Sequence, residues 1–435
     1  MGYIVYPISP IEHAMSTETS KLYTAPGFSP WVFNGRIDQS SFIKRWGYTV
    51  NRNLGTNAPV YVIARYVTTA GTPYTIYLTD KDACKKETAT GKTFSYITDT
   101  GDYNGSVTSI ATNVVTFKAA TIADTEDIAI GDMFILDTDH TADVEPDTNW
   151  AEIATVVSAG GFITGLTLTA SYTGTTGSWG GAEKPCLVRR VYSAADASRW
   201  TYSIVGGKFC FTNGNTNVQY WAGSGYCTAL DATNATKAKY CIEYASRLVL
   251  GNLYVSAALA PFTIKGSDLN TPTAWTGTSS FEIDLLDTED HITGLATAGP
   301  NLFVFKPDSY SIWYRTGLTT DPIKRGSTKL GHGSPAPYSL VQVKGTAAWM
   351  GRDDFYVLNG EDAEAIGQRI RHFFFSEADP TTVWAGVNYL TYEIMWVADT
   401  LNYGKMAFVW NWKYSEWYLY RFPDDITCLG RGVYT

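Results

Sequence analysis

The stretch PNLFVFKPDSYSIWYRTG, residues 300 to 317, limits the fold more than any other part of the chain. Two apolar runs, Leu302 to Phe305 and Ile312 to Tyr314, flank a Lys306-Pro307-Asp308-Ser309 break. Successive side chains of a strand point to opposite faces of its sheet, so a hairpin with one wet face alternates apolar and polar residues. This hairpin barely alternates. Its short break suits antiparallel neighbours, yet both faces ask for cover. Sheets stacked face to face around an axis satisfy both demands, which is the arrangement of a β-propeller. A sandwich leaves one face of each sheet wet and would alternate more cleanly. The preference is strong, because covering one Phe or Leu side chain contributes roughly 1.5 to 3 kcal/mol.

The same design recurs along the chain. VYVIARYV (60 to 67) with YTIYL (74 to 78) reads as a hairpin, and KFCFTNGNTNVQYW (208 to 221) turns at Asn213-Gly214, a strong hairpin dipeptide. RLVLGNLYVS and APFTIKGSD form a looser pair, followed by AAWMGRDDFYVLNGED and MAFVWNWKYSEWYLY. Taking Phe303, Phe355 and Phe408 as equivalent positions gives a period of about 50 residues, near the longer propeller-blade repeats. Identity between units is low, so the repeat is one of strand, turn and strand. The expected fold is all-β, a propeller of about six blades, with five and seven also fitting.

Composition supports strands and narrows function. Aromatic residues make up 14% and charged residues 17% of the 435, the latter against roughly 25% in typical soluble domains, and aromatic, Thr-rich sequences favour strands. The net charge of -9 argues against electrostatic capture of nucleic acid, which needs a concentrated Lys/Arg surface; non-specific passage of DNA through a lumen remains compatible. The six cysteines, Cys84, Cys186, Cys210, Cys227, Cys241 and Cys428, form no C-x-x-C pair and lie mostly in apolar runs, so buried free thiols are expected. The N-terminal residues do not resemble a signal peptide, and no 18-residue apolar run exists to span a membrane.

Four regions follow. Residues 1–40, punctuated by Pro and Ser, read as an extended arm lying on another surface. Residues 41–105 begin the propeller. Residues 106–178 break the aromatic pattern with short Val/Ile/Thr strands and Gly turns, as expected of a small inserted β-barrel or sandwich, and GTTGSWGGAEKP would return the chain flexibly. Residues 179–435 complete the propeller, with an N-terminal strand expected to close the ring against ITCLGRGVY. Helix is expected only as a turn or two, in TTVWAGV or DAEAIGQRIRHFF.

Chemistry is sparse. The densest acidic run, Asp284, Asp287, Glu289 and Asp290 before His291, could supply paired carboxylates for glycoside hydrolysis or hold calcium, but neither spacing motif is present, and a solvated inter-strand loop is expected. His13, His140, His291, His332 and His372 are scattered without the spacing of a metal site. GHGSPAP (331 to 337) places a serine near a histidine but lacks G-x-S-x-G and its elbow. GTTGSWGG lacks the Lys of a phosphate loop. Trp221, Trp313, Trp349, Trp396, Trp410, Trp412 and Trp417 could stack on sugars, yet their places within strand runs predict core packing. No catalytic, cofactor-binding or metal-ligating residue is assigned.

Longer phrases carry a resemblance. RLVLGNLYVSAALAPFTIKGSDLNTPTAWTG, EIDLLDTEDHITGLATAGPNLFVFKPDSYSIWYRTG and GHGSPAPYSLVQVKGTAAWMGRDDFYVLNGEDAEAIGQRIRHFF, with FCFTNGNTNVQYWAGSG and the inserted IAIGDMFILDT, NWAEIATVVS and LTLTASYTG upstream, resemble the β-propeller accessory and nozzle proteins of short-tailed phage tails, also called head-to-tail stabilisation proteins. The likeness covers most of residues 59 to 375. It implies a virion structural protein, made in the host cytoplasm and present in the tail as a homo-oligomeric ring such as a hexamer. That ring, below portal and adaptor, would extend and close the DNA channel and anchor fibres, spikes or neighbouring tail proteins. The arm and the insertion, which stand outside the repeat, are the expected inter-subunit contacts. The alternative is a propeller that binds or cleaves a host surface polysaccharide, with Asp287 and Asp290 as its carboxylates.

Overall fold

The computed structural model describes residues 35–38, 41–44, 59–87, 95–124, 128–136, 150–231, 233, 237–255, 258–422 and 426–430. The chain folds as a six-bladed β-propeller, each blade a four-stranded antiparallel sheet in sequential order. Blade 1 comprises Val60–Val67, Pro73–Thr79, Ala83–Glu87 and Ser95–Tyr96, and blade 2 Thr201–Val205, Lys208–Thr212, Gln219–Trp221 and Thr228–Ala229. Blade 3 comprises Lys237–Tyr244, Arg247–Val255, Ala258–Gly266 and Phe281–Asp284, and blade 4 Gly294–Ala298, Asn301–Phe305, Ser309–Arg315 and Ile323–Leu330. Blade 5 comprises Val341–Val343, Thr346–Met350, Phe355–Asn359 and Asp362–Ala365, and blade 6 Trp384–Asn388, Glu393–Thr400, Gly404–Asn411 and Glu416–Arg421.

The hairpin of residues 300 to 317 shows why its runs do not alternate. Leu302, Val304 and Trp313 face blade 3, packing with Tyr240, Val249 and Ile264. Phe303, Phe305, Tyr310 and Ile312 face blade 5, packing with Ala347, Trp349, Tyr356 and Leu358. Side chains still alternate between the two faces, but each face meets a neighbouring blade, so both must be apolar. Phe305 and Trp349 meet edge to face with ring centroids 4.9 Å apart, a favoured aromatic geometry.

The repeat reading needs one correction. Phe355 and Phe408 both lie on third strands, whereas Phe303 lies on a second strand, so the three are not equivalent positions. Apolar density alone could not distinguish middle strands that are all covered on both sides.

First strands of successive blades lie beside one another, from blade 2 through blade 6, and therefore line the axis. Gln342 of blade 5 donates from Nε2 to Thr297 Oγ1 of blade 4 at 2.7 Å. All first strands start from the same end of the axis. Blade-to-blade connections and second-to-third turns gather there, at the crossover end; first-to-second and third-to-fourth turns gather at the opposite, hairpin end. The hairpin end is tightly turned, for example at Lys344-Gly345, with φ of 49° and 75°, the left-handed pair that a two-residue hairpin of matching twist requires.

The connection from blade 1 to blade 2 carries the insertion. Its sheet runs from Thr100 to Arg189, wider at both ends than 106–178. Lys184–Arg189 pairs with Thr100–Ala111 and Met133–Leu136; Thr100–Ala111 continues to Val114–Phe117, Phe162–Leu168 and Ala151–Ala159, and the last pairs back to Met133–Leu136. The six strands thus close into a barrel filled by Val107, Phe117, Phe134, Ile153, Ile163 and Leu166 among others. The expected flexible return is partly ordered: Gly177–Ser178 pairs with Thr100–Ala111, and Trp179 packs on the barrel core. Sequence missed this because Gly-rich composition hides a two-residue strand.

Ring closure follows expectation in part, since residues 426–430 of ITCLGRGVY lie against the strand Val60–Val67, but through single contacts rather than a strand pairing. Every strand of blade 6 comes from residues 384–421, and the hairpin of Gly35–Asp38 with Ser41–Lys44 lies beside the outermost strand of that blade without joining its sheet. Residues 426–430 instead bridge last blade to first. Thr427 Oγ1 donates to Val60 O at 2.6 Å, Leu429 packs against Gly386, and Gly430 lies so close to the Ile63 carbonyl that any side chain would strike it. The arm expected over 1–40 falls, for residues 1–34 and 39–40, outside the described residues. Among the described residues one short helix, Arg371–Glu377, and 3-10 turns at Pro337–Ser339 and Pro380–Thr382 flank blades 5 and 6; of the TTVWAGV candidate, Thr381 and Thr382 lie in the second of these turns, while Trp384 to Val387 are strand.

Candidate functional site

A propeller offers its axis first. At the crossover end Arg199, in the connection entering blade 2, lies over the rings of Tyr61 (blade 1) and Trp384 (blade 6), each centroid 5.0 Å away. Its guanidinium donates to Asp196 Oδ1 at 2.6 Å and to the carbonyl of Thr427 in the closing segment. Tyr338, entering blade 5, donates its hydroxyl to Ala197 O at 3.4 Å, and burial pushes that phenol up to about 12. Blades 2 and 5 are not neighbours, so groups on both can meet only across the axis. Groups of blades 1, 2, 5 and 6 thus meet at this end of the axis, around a planar cation between aromatic faces, an arrangement suited to guanidinium.

The acidic run is organised as a loop. Lys306, with a side chain only 3% exposed, donates from Nζ to Leu285 O (2.7 Å), Thr288 O (3.1 Å) and Thr288 Oγ1 (2.7 Å). Asp287 pairs with Arg325, accepts from Thr328 Oγ1 at 3.1 Å and lies 3.8 Å from Lys306. Burial alone would raise the Asp287 carboxyl, but Arg325, Thr328 and Lys306 outweigh it and hold it below its usual value. It is thus ionised and already paired, which suits an anchor rather than a proton donor. Asp284 accepts from Thr263 Oγ1 at 2.5 Å. Glu289 is exposed and Asp290 half-buried, and neither forms an ion pair among the described residues.

The remaining candidates separate. Ser334 is buried and donates to Ala336 O at 3.2 Å, while His332 places Nδ1 3.1 Å from Leu330 O and its ring on Tyr356; each serves its own loop. Burial, then Lys239, lowers the pKa of His291. His372 lies on the short helix, and His13 and His140 fall outside the described residues. Among the described residues no group of three His, Cys, Asp or Glu side chains gathers as a metal would require. All six cysteines are free, five of them buried and Cys428 half-buried.

Six of the seven tryptophans are buried. Trp412 is the exception. It sits at the hairpin end with Tyr389 and Tyr392, at centroid distances of 6.1 and 5.9 Å. Lys344 lies 5.7 Å from both the Tyr392 and Trp412 centroids, and Lys413 lies 5.4 Å from Tyr392. Sequence reading placed Trp412 in a strand run; the strand ends at Asn411, and the signal was the NWKYSE turn that follows.

The joint between barrel and propeller holds a cleft of about 510 Å³ whose lining includes Asp80, Lys81, Asp132, Arg190 and Lys237. Two of these charged groups, Asp132 and Arg190, are engaged in fastening. Asp132 accepts from Ala129 N (2.9 Å) and Val191 N (3.1 Å), and Arg190 pairs with Asp99 at 3.1 Å. Beside it Arg189 lies between Tyr96 and Trp150, 4.2 and 4.6 Å from their centroids.

No family model and no curated protein matches the chain. Among solved structures, it is similar to a catalytically inactive variant of virginiamycin B lyase from Staphylococcus aureus, at 10% identity over 79% of this chain and 93% of that one, with a TM-score of 0.32. It is similar to AztD from Citrobacter koseri at 12% identity over 76% of this chain and 84% of that one, TM-score 0.31. The extracellular domain of a one component system from B. thetaiotaomicron matches at 10% identity, covering 80% of this chain and 38% of its own, TM-score 0.34.

Proposed function

We propose that this chain is a non-catalytic structural component of a short-tailed phage tail, part of a homo-oligomeric ring that extends the DNA channel and anchors neighbouring tail proteins. The observation that carries the reading is the succession of phrases across residues 59 to 375 that resemble the propeller accessory and nozzle family. Two features of the molecule agree with it. Arg199, Tyr61, Trp384 and Tyr338 meet at one end of the axis, which favours a channel between copies over one through a single propeller. Loops are locked by internal ion pairs, as at Lys306 and Asp287, which suits a scaffold that presents rigid surfaces.

The rival reading is a propeller acting on a host polysaccharide through Asp287 and Asp290. Its chemistry needs one protonated carboxyl acting as acid, and Asp287 is held ionised. Expression of a tagged chain during assembly, followed by electron microscopy of purified tails, tests the proposal: label at the tail ring supports it. Tails without label, together with cleavage of polysaccharide by the purified chain, overturn it in favour of the rival.

A further inference from the structure

Each end of the propeller carries one patch whose chemistry complements the other's. At the crossover end, the connection from blade 3 to blade 4 presents Leu286, 73% exposed, beside Glu289 and Asp290. Neither carboxylate has an ion-pair partner within 4 Å among the described residues. The loop is not a loose one, because Lys306 grips Leu285 and Thr288 from beneath. At the hairpin end, Leu390 is 80% exposed beside Tyr389, Tyr392 and Trp412. Lys344 is held over two of those rings and has no carboxylate within ion-pair distance among the described residues.

We propose that these surfaces bind each other between copies: the 284–290 loop of one copy docks on the Lys344, Tyr392 and Leu390 rim of the next. This rests on the homo-oligomer reading above and names its contact. Charge complementarity carries the argument. Copies of net charge -9 repel one another on average, so association is favoured where a cationic rim meets an acidic loop, and each side adds an exposed leucine as an apolar anchor. The two patches differ and lie at opposite ends, so the contact is heterologous; it propagates head to tail and closes into a ring when the rotation returns on itself. A sugar ring or nucleic-acid base fits less well. Stacking needs an open aromatic face, and Lys344 and Lys413 both lie over Tyr392.

Sedimentation velocity of the full chain over a concentration series, at low and high salt, tests this. The unmodified chain is expected to self-associate reversibly and less strongly at high salt, where screening shortens electrostatic reach. Lys344→Glu alone, and Glu289→Lys with Asp290→Lys together, are each expected to weaken association roughly tenfold or more, and mixing the two variants restores it by pairing reversed charges. Unchanged melting curves check folding, and Leu286→Asp, at an exposed knob, gives a second route to the same loss. A monomer at every concentration, association indifferent to the reversals, or no restoration on mixing overturns the inference. So does a rim that binds heparin or a single-stranded oligonucleotide through Lys344 while association is untouched. Incorporation into tails is scored separately: a monomer that still enters tails sinks this contact alone, and an associating chain absent from tails sinks the phage reading alone.

Discussion

Blade 4 and the inserted barrel are built from the same antiparallel strands, yet they bury them differently. In blade 4 every residue from Leu302 to Phe305 and from Ser309 to Trp313 is buried, because a blade stands on either side. In the barrel, Val114–Phe117 alternates exposed and buried, and much of Ala151–Ala159 faces outward, because only the lumen is dry. One consequence concerns residue size. Blade interfaces are wide and take Phe, Tyr and Trp in edge-to-face contact, whereas a six-stranded lumen takes mostly Val, Ile and Leu.

The sharpest way to break the comparison is Phe303→Ala. Its ring is fully buried between blades 4 and 5, and such truncations cost about 3 to 5 kcal/mol through lost transfer energy and a residual cavity. Urea unfolding followed by Trp fluorescence should show the propeller transition moving by that amount. A shift under about 1 kcal/mol would mean that the blade contact collapses around the gap and that double-sided cover is not the main stabiliser.

Ile163→Ala addresses the other member of the pair. It removes a lumen side chain of the barrel and is expected to cost about 2 to 5 kcal/mol. The loss should fall on the barrel, read as early amide exchange across Phe162–Leu168 while blade 4 stays protected. Equal deprotection of blade 4 would make barrel and propeller one cooperative unit and erase the distinction.

Arg199→Met probes the hub, where neither pattern applies. The change leaves the Thr427 carbonyl and Asp196 without their cationic donor, and hydrogen bonds to charged groups contribute about 1.5 to 3 kcal/mol each. Faster proteolysis and amide exchange at residues 426–430 are expected, with blade 4 unaffected. An unchanged closing segment would assign closure to the remaining contacts, those of Thr427 with Val60, Leu429 with Gly386 and Gly430 with Ile63.

How much of this was legible follows from what each feature contrasts with. Double-sided apolar runs such as LFVF and SIWY announce stacked sheets, because in a chain with little helical pattern stacking covers both faces of an antiparallel sheet. The barrel announced itself by losing aromatics and gaining Thr, but its edges did not: Thr100–Ala111 and Lys184–Arg189 lie where the two compositions merge. Closure was legible in part: ITCLGRGVY was expected to meet an N-terminal strand, and residues 426–430 do lie against Val60 and Ile63, but they act through single contacts, with Gly386 and Arg199 as well, rather than through a strand pattern. Arg199 itself sits in ASRW, a tetrad without a pattern that would set it apart from any connection; only the meeting of distant blades gives it partners. Trp412 was misplaced for the opposite reason, its neighbours being so apolar that one half-buried ring did not stand out.

The smallest effect expected is at Asp287, and it separates an anchoring carboxylate from an acid-base one. Arg325 and Lys306 hold its folded-state pKa below the unfolded value, so the stabilisation is fully present above the ordinary carboxylate value of about 3.9 and is lost as pH falls through the folded value. Asp287→Asn should therefore cost about 1 kcal/mol or less at neutral pH, as partly exposed ion pairs do, and the gap in melting temperature should close as pH is lowered through the acid range. Lys306, left in the variant with its three oxygen acceptors from Leu285 and Thr288, would keep the loop seated. A gap that widens on acidification would show that the carboxyl takes up its proton more readily when folded, and would return Asp287 to the candidates for acid catalysis.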